Sequence, residues 1–303
     1  MLLSGDFMRY ILVFYVLFSS TLTLYAEEII EYKKKDSTPA IRLNTKETFA
    51  NVRKNDMVAI LIGNDSYLYE SGFSVLYQCI NDTTLLSRVL TVCCKVPAEN
   101  INVITNCTRE QFLNKFSDVV KSLKPEQSLL LTYSGHGDTD GSLVFIDGGR
   151  VTPSELKKLI NSFSNDTTLI LDACYSGNNE GPLDPASQEG FRDNSVRIYA
   201  SLAHMTAKEI TYDNEYFRGI KPFYENVLGL KNLQGNGYFT SFIGYFFAEF
   251  RFDTSGNISF KDLLSYITNK GKQYTEYLAM RGSRNLEISL DYYSQSAIRV
   301  NQQ

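Results

Sequence analysis

Apolar positions along this chain fall into short unbroken runs separated by amphipathic stretches. Met57-Val58-Ala59-Ile60-Leu61-Ile62 closes on Gly63, and Ile101-Asn102-Val103-Ile104 closes on Thr105. Ser128-Leu129-Leu130-Leu131-Thr132-Tyr133 leads into Ser134-Gly135-His136-Gly137. Thr167-Thr168-Leu169-Ile170-Leu171 leads into Asp172-Ala173-Cys174-Tyr175-Ser176-Gly177. Runs this short, without helical periodicity, predict buried strands. Val196 to Ser201 predicts a fifth strand, and Leu286 to Leu290 an edge strand. Between them the pattern turns helical. One helix is expected from Thr83 to about Val92. A second runs from Thr108 to Leu123, with Phe112, Phe116, Val119, Val120 and Leu123 on one face. A third is opened by Thr152 as N-cap, Pro153 at the first position and Glu155 closing a capping box, and it reaches Phe163. An aromatic helix follows over Tyr238–Phe250, and another over Ile258–Tyr277. Strands alternating with helices predict an α/β fold, a mostly parallel sheet with helices on both faces.

In a strand–helix–strand unit both strands run parallel and end at the same edge, where ligands bind. His136 and Cys174 therefore belong to one rim, although about forty residues separate them. A thiol and an imidazole are the minimal parts of a nucleophile and its base. Only the thiolate attacks, and a free cysteine with a pKa of about 8.5 is mostly protonated at neutral pH. An adjacent imidazole supplies the proton transfer. The glycines beside His136 are expected to let a substrate backbone approach. The amides of Gly137 and Cys174 are candidate oxyanion donors.

Composition narrows the chemistry. The 303 residues carry a net charge of −4, which gives no electrostatic case for nucleic acid or an anionic membrane. Two histidines exclude a His-rich metal site, and the five cysteines include no C-x-x-C pair. Cys93, Cys94 and Cys107 read as packing residues, His204 as structural or loop-exposed. Near the start, a basic residue at Arg9, an apolar run from Tyr10 to Leu24, and Ala26 before Glu27-Glu28 fit a cleaved secretory signal over residues 1–26, with Met8 as an alternative start. The run is short for a membrane span. Secretion, or export to a periplasm, is the expectation; a membrane anchor is the alternative. Residues 27–55 are polar and read as an arm, and 56–303 as one folded domain, expected to be a monomer. The Gly-, Asn- and Pro-rich stretch 178–195 reads as a mobile loop after Cys174.

Tyr133-Ser134-Gly135-His136-Gly137 and Asp172-Ala173-Cys174-Tyr175-Ser176-Gly177, each after an apolar strand, resemble the catalytic motifs of caspase-fold cysteine peptidases. The Asp two positions before the Cys and the following Ser-Gly are closest to bacterial metacaspase-like proteins. Ile60-Leu61-Ile62-Gly63-Asn64, Cys79-Ile80-Asn81-Asp82 and Gly237-Tyr238-Phe239-Thr240 are similar to further elements of that family. The resemblance implies a three-layer α/β/α sandwich, with His136 as general acid/base and Cys174 as nucleophile. It also implies a substrate pocket at Cys79, Asp82, Ser134 and Asp172. Two carboxylates there would match a guanidinium or ammonium and repel an acidic side chain. The implied partner is a protein or peptide with Arg or Lys before the cut. Asp82 has a rival role as a helix cap, and Asp172 as a brace for the nucleophile turn.

The residues require no cofactor. Many metacaspases need calcium, and Asp138, Asp140 and Asp147 follow His136, but the segment is too short to match that site, so calcium dependence is open and unplaced. Phe252–Asn257 fails calcium-loop spacing and reads as a turn. Arg192, Arg197, Lys208 and Arg218 are candidate self-cleavage positions. Two rival functions stand beside the endopeptidase: a non-enzymatic caspase-fold binding module, and a Cys-dependent transpeptidase.

Overall fold

Five parallel strands form the central sheet: β1 (Met57–Gly63), β2 (Ile101–Thr105), β3 (Ser128–Ser134), β6 (Thr167–Asp172) and β7 (Ser195–Tyr199), in the order β2-β1-β3-β6-β7. Two short antiparallel pairs, which the hydrophobic pattern does not signal, flank it: β4 (Leu143–Val144) with β5 (Arg150–Val151), and β8 (Glu209–Thr211) with β9 (Gly235–Gly237). Among the described residues the complete α-helices are α1 (Cys79–Arg88), α2 (Arg109–Ser122), α3 (Pro153–Asn161), α4 (Lys221–Asn226) and α5 (Tyr238–Glu249). This computed structural model describes residues 57–179, 191, 195–201, 207, 209–212, 217–249, 266–267 and 269–270. The signal and arm, most of the loop after Cys174, Arg192, His204, Lys208, Phe252–Asn257, most of the helix expected over Ile258–Tyr277, and Leu286–Leu290 lie outside the described residues.

Strand period explains the layers. Alternate residues point to opposite faces. Ala59 and Leu61 of β1, Leu130 of β3 and Ile170 of β6 pack with Leu85 and Leu86 of α1 and with Phe242, Ile243 and Phe246 of α5. Val58, Ile60 and Ile62, with Leu129, Leu131, Leu169 and Leu171, pack with Phe112 and Phe116 of α2 and with Leu156 and Ile160 of α3. Apolar runs buried on both faces make a sheet clothed by helices on each side, the three-layer α/β/α sandwich. α5 is buried from Phe239 to Phe247, as a helix apolar all round must be.

The connections leaving β1 and β3 go to opposite faces, α1 to one and α3 to the other. Between two such strands an open sheet leaves a crevice beyond their carboxyl ends.

The capping signals fall where expected. Thr108 with Gln111, and Thr152 with Glu155, form reciprocal capping boxes. α1 departs from expectation by starting at Cys79, four residues before Thr83. The Asp65 carboxylate accepts the backbone N–H of Cys79 at 2.8 Å and of Ile80 at 3.3 Å. That cap comes from 14 residues upstream, beyond any local signal. α1 then widens into a π turn over Val89–Cys93. All five cysteines are free thiols, with Cys93 and Cys107 buried. Of the candidate self-cleavage positions, Arg197 is 4% exposed inside β7 and bonded to the carbonyl and hydroxyl of Ser195, whereas Arg218 is exposed. Among the described residues no helix is long and apolar enough to cross a membrane.

Candidate active site

The rim is set by strand register. Ser134 of β3 stands opposite Asp172 of β6. Two residues beyond each come His136 and Cys174. The turns that carry them pack directly. A methyl group built on Gly137 would collide with the Cys174 carbonyl, and one on Gly135 would lie 2.6 Å from the Tyr133 hydroxyl and 2.7 Å from that of Tyr67. This corrects the expectation that both glycines leave room for a substrate backbone. Gly135 admits two phenols and Gly137 admits the Cys174 turn, so the space is filled by protein.

His136 is half-buried, and its Nε2 lies 2.7 Å from the Ser74 carbonyl oxygen. A carbonyl only accepts, so Nε2 donates in this contact, and in the neutral imidazole the lone pair falls on Nδ1. The rings of Tyr67 and Phe73 pack on the imidazole at 4.6 and 5.1 Å between centroids. Cys174 is half-buried, its thiol 3.9 Å from the Ala207 carbonyl. Tyr175, next in the chain, has φ +54°, a left-handed conformation costly for an aromatic residue. The turn is anchored by Ser201, two residues beyond β7. Its hydroxyl accepts the Ser176 N–H and donates to the Ala173 carbonyl, and its carbonyl accepts the Gly177 N–H. Gly137 forms a bridge with Leu143 whose two hydrogen bonds run through His136 and Asp138, so the Gly137 N–H lies outside that pairing.

Beneath the rim lie the acidic groups. Asp82 is 1% exposed and accepts from the Ser134 hydroxyl at 2.5 Å, the Asn236 amide at 2.8 Å and the Gly237 N–H at 2.9 Å. It lies within the first turn of α1 and caps nothing; its carboxylate reaches across to β3 and β9. Asp172 accepts from the Thr240 hydroxyl at 2.8 Å and its N–H at 3.3 Å, both on Oδ2. It braces α5, not the backbone of the nucleophile turn. A small cavity lies between the two acids, lined also by Ser134, Thr240, Ile62 and Ile170. Burial, then the charge of Asp172, pushes Asp82 well above the usual carboxylate range. Burial lifts Asp172 to about 6. Cys79 borders this group, and burial raises its thiol further from ionisation.

The structure thus gathers Cys79, Asp82, Ser134 and Asp172 in one place, beside the His136 and Cys174 turns. It adds residues outside the two catalytic motifs. Glu209 of β8 accepts the N–H groups of Tyr77 at 3.2 Å and Gln78 at 2.8 Å, and lies 3.7 Å from the Cys79 thiol, all through Oε1. Its charge is felt at both Cys79 and Asp172. Tyr67, Ser74, Ser201, Asn236 and Thr240 complete the frame. The one signal for them in the sequence was Gly237-Tyr238-Phe239-Thr240: Gly237 must lack a side chain, because a methyl there would collide with the Asp172 carboxylate.

The candidate calcium ligands do not fit a shared ion. Asp138 pairs with Arg150 at 2.9 Å, Asp140 accepts from Ser142, and Asp147 accepts from Arg109 and Gly149. Each carboxylate closes its own turn. Among the described residues the only group of three or more ligand side chains with atoms within 4.8 Å of one another is Asp65, Cys79 and Glu209, and both carboxylates there already bind backbone N–H groups.

A parallel α/β/α sandwich with cysteine and histidine turns on one rim defines the class of a cysteine-peptidase-type fold. The chain belongs to the caspase domain family, whose model matches residues 56–278. Among solved structures it is similar to caspase-1 from Spodoptera frugiperda, at 13% identity and a TM-score of 0.49, over 72% of this chain and 77% of that one. A comparison with curated proteins returned no match.

Proposed function

We propose that this protein is a cysteine endopeptidase that cuts after Arg or Lys, with Cys174 as nucleophile and His136 as general acid/base. The observation that carries this reading is the packing of the two turns on one rim beside a cavity flanked by two buried carboxylates. Nδ1 of His136 takes the thiol proton as Sγ attacks the scissile carbonyl carbon. The N–H groups of Gly137 and Cys174 stabilise the resulting oxyanion. The imidazolium returns its proton to the leaving amine as the C–N bond breaks. Water, deprotonated by the same imidazole, then hydrolyses the thioester.

The acids set the choice of substrate. Two carboxyls raised chiefly by burial, Asp82 also by the charge of Asp172 and Asp172 by that of Glu209, are relieved by a bound cation, because opposite charge favours the ionised form. An aspartate side chain would add a further like charge. The half-exposed Glu209, fixed by two backbone amides, supplies a third acidic group nearby. This closeness to bacterial metacaspases in specificity is our reading of Asp82, Ser134 and Asp172 in this geometry.

Purified protein assayed on Arg-, Lys- and Asp-ended peptide reporters tests it. Cleavage after Arg and Lys is expected; preference for Asp sinks the specificity. Hydrolysis by the Cys174→Ala protein, or none by the wild type, refutes the enzyme and favours a binding module. Mass spectrometry of products made with an added amine nucleophile separates hydrolysis from transpeptidation.

A further inference from the structure

Two buried phenols hold the main chain of His136. Tyr67, from the loop between β1 and α1, accepts the His136 N–H at 2.8 Å and donates to the Val144 carbonyl at 3.0 Å. Tyr133, within β3, reaches the His136 carbonyl at 2.9 Å, and also contacts the Val144 carbonyl. The phenol oxygens are 3.4 Å apart. Each phenol has one proton to donate. With the Tyr67 proton on Val144 and the Tyr133 proton on His136, both polar groups of the His136 main chain are paired with a phenol. Burial raises both phenols far from ionisation, so both protons stay in place.

The two phenols differ in one respect. Tyr133 turns its ring to Phe145 at 5.7 Å. Tyr67 turns its ring onto the His136 imidazole, at 63° and 4.6 Å between centroids. Tyr67 therefore touches the histidine twice, at the backbone and at the ring. Its loop also supplies Phe73, packed on the same imidazole, and the Ser74 carbonyl at Nε2. That loop is itself pinned. Asn106 accepts the N–H groups of Asp65 and Ser66, both at 2.9 Å, and Leu68 donates to the Ile146 carbonyl at 2.9 Å.

We infer that Tyr67 is a positioning residue for His136: its phenol and ring together hold the imidazole with Nε2–H on Ser74, leaving Nδ1 as the atom that exchanges a proton with Cys174. It acts through His136 and is itself buried. The inference rests on the peptidase reading above. Without the phenol, the His136 N–H loses its acceptor and the imidazole loses part of its seat. A displacement of about 1 Å in such a group costs on the order of a hundredfold in rate.

The test uses the full chain with Tyr67→Phe, which keeps the ring and removes the hydroxyl, and His136→Ala as reference. Rates are normalised to alkylatable Cys174 in the folded fraction, so loss of folded protein does not count as loss of rate. On an Arg-ended peptide, kcat per titrated site is expected to fall about 10- to 100-fold with KM within about twofold. The pH profile of Cys174 alkylation is expected to move toward that of His136→Ala. Nitrogen NMR of the imidazoles in a Cys174→Ala background reads the tautomer directly. The chain has two histidines, so His204→Gln assigns the signal. A single Nε2–H form is expected with Tyr67, and a mixture with Phe. An unchanged tautomer and an unchanged kcat per site in Tyr67→Phe overturn the inference while leaving the dyad intact. If His136→Ala itself alkylates and hydrolyses like the wild type, the peptidase reading fails, and the inference falls with it.

Discussion

Ser134 and Asp172 are register partners at the carboxyl ends of β3 and β6, and each lies two residues before a turn that carries a reactive side chain. Both also face the acidic cavity below. One strand pairing therefore places the proposed chemistry and the proposed substrate pocket at once. A slip in the β3–β6 register would separate His136 from Cys174 and break the cavity together.

The dyad gives the sharpest prediction. Cys174→Ala should abolish peptide hydrolysis. His136→Ala should lower kcat by about 10² to 10⁴, the usual contribution of a positioned acid/base. Both proteins should keep the wild-type circular dichroism spectrum, since both side chains lie at the rim of the sheet and outside its core.

Asp172 links specificity to stability. Its folded-state pKa, raised from 3.8 to about 6, means that the unfolded chain releases this proton first as pH rises. The wild type should then lose stability between those values. Asp172→Asn should flatten that dependence and gain up to about 3 kcal/mol at neutral pH, at 1.36 kcal/mol per unit. Urea unfolding at pH 4 and pH 7 measures it. The same variant should lose its preference for Arg over citrulline at the cut site.

Activity should follow the same group. The ratio of kcat/KM for Arg- and citrulline-ended peptides should rise with pH through about 6, as the Asp172 carboxyl ionises. A ratio flat from pH 5 to 8 would remove Asp172 from the pocket.

Gly135→Ala tests the phenol pair from the opposite side. A methyl there meets the hydroxyls of Tyr67 and Tyr133 at 2.7 and 2.6 Å, and neither can retreat without releasing the His136 backbone. Overpacking of this kind costs about 1 to 3 kcal/mol. A lowered melting temperature and at least a tenfold lower kcat per titrated site are expected.

Asp138, Asp140 and Asp147 each close a separate turn. Substituting any one by Asn should leave the effect of calcium on the hydrolysis rate unchanged, measured in chelator and in millimolar calcium. A variant that alters that effect would place an ion here after all.

Much of the fold is legible in the order of residues. The five strands, the capping boxes at Thr108 and Thr152, and the shared rim of His136 and Cys174 follow from local pattern and from the rule that parallel strands end together. Strand and helix periods depend on near neighbours in sequence, so the sequence carries them openly. The start of α1 is not legible, because its cap, Asp65, comes from a loop. Nor is the use of Gly135 and Gly137: a glycine shows only that a side chain is excluded, not what excludes it. Glu209 and Tyr67 reach the site from distant elements, in stretches with no periodic signal, and Ser201 follows a strand that the sequence signals but carries no motif of its own.

By itself, then, the sequence determined the sheet, its helices, and which two turns meet at the edge, because backbone pattern and strand direction are local properties. Only the tertiary structure decided how those turns are held. It chose the phenols that grip His136, the carbonyl that takes Nε2, and the partners that bury Asp82 and Asp172. Each of these is a contact across many residues of chain, settled by packing after the strands are paired.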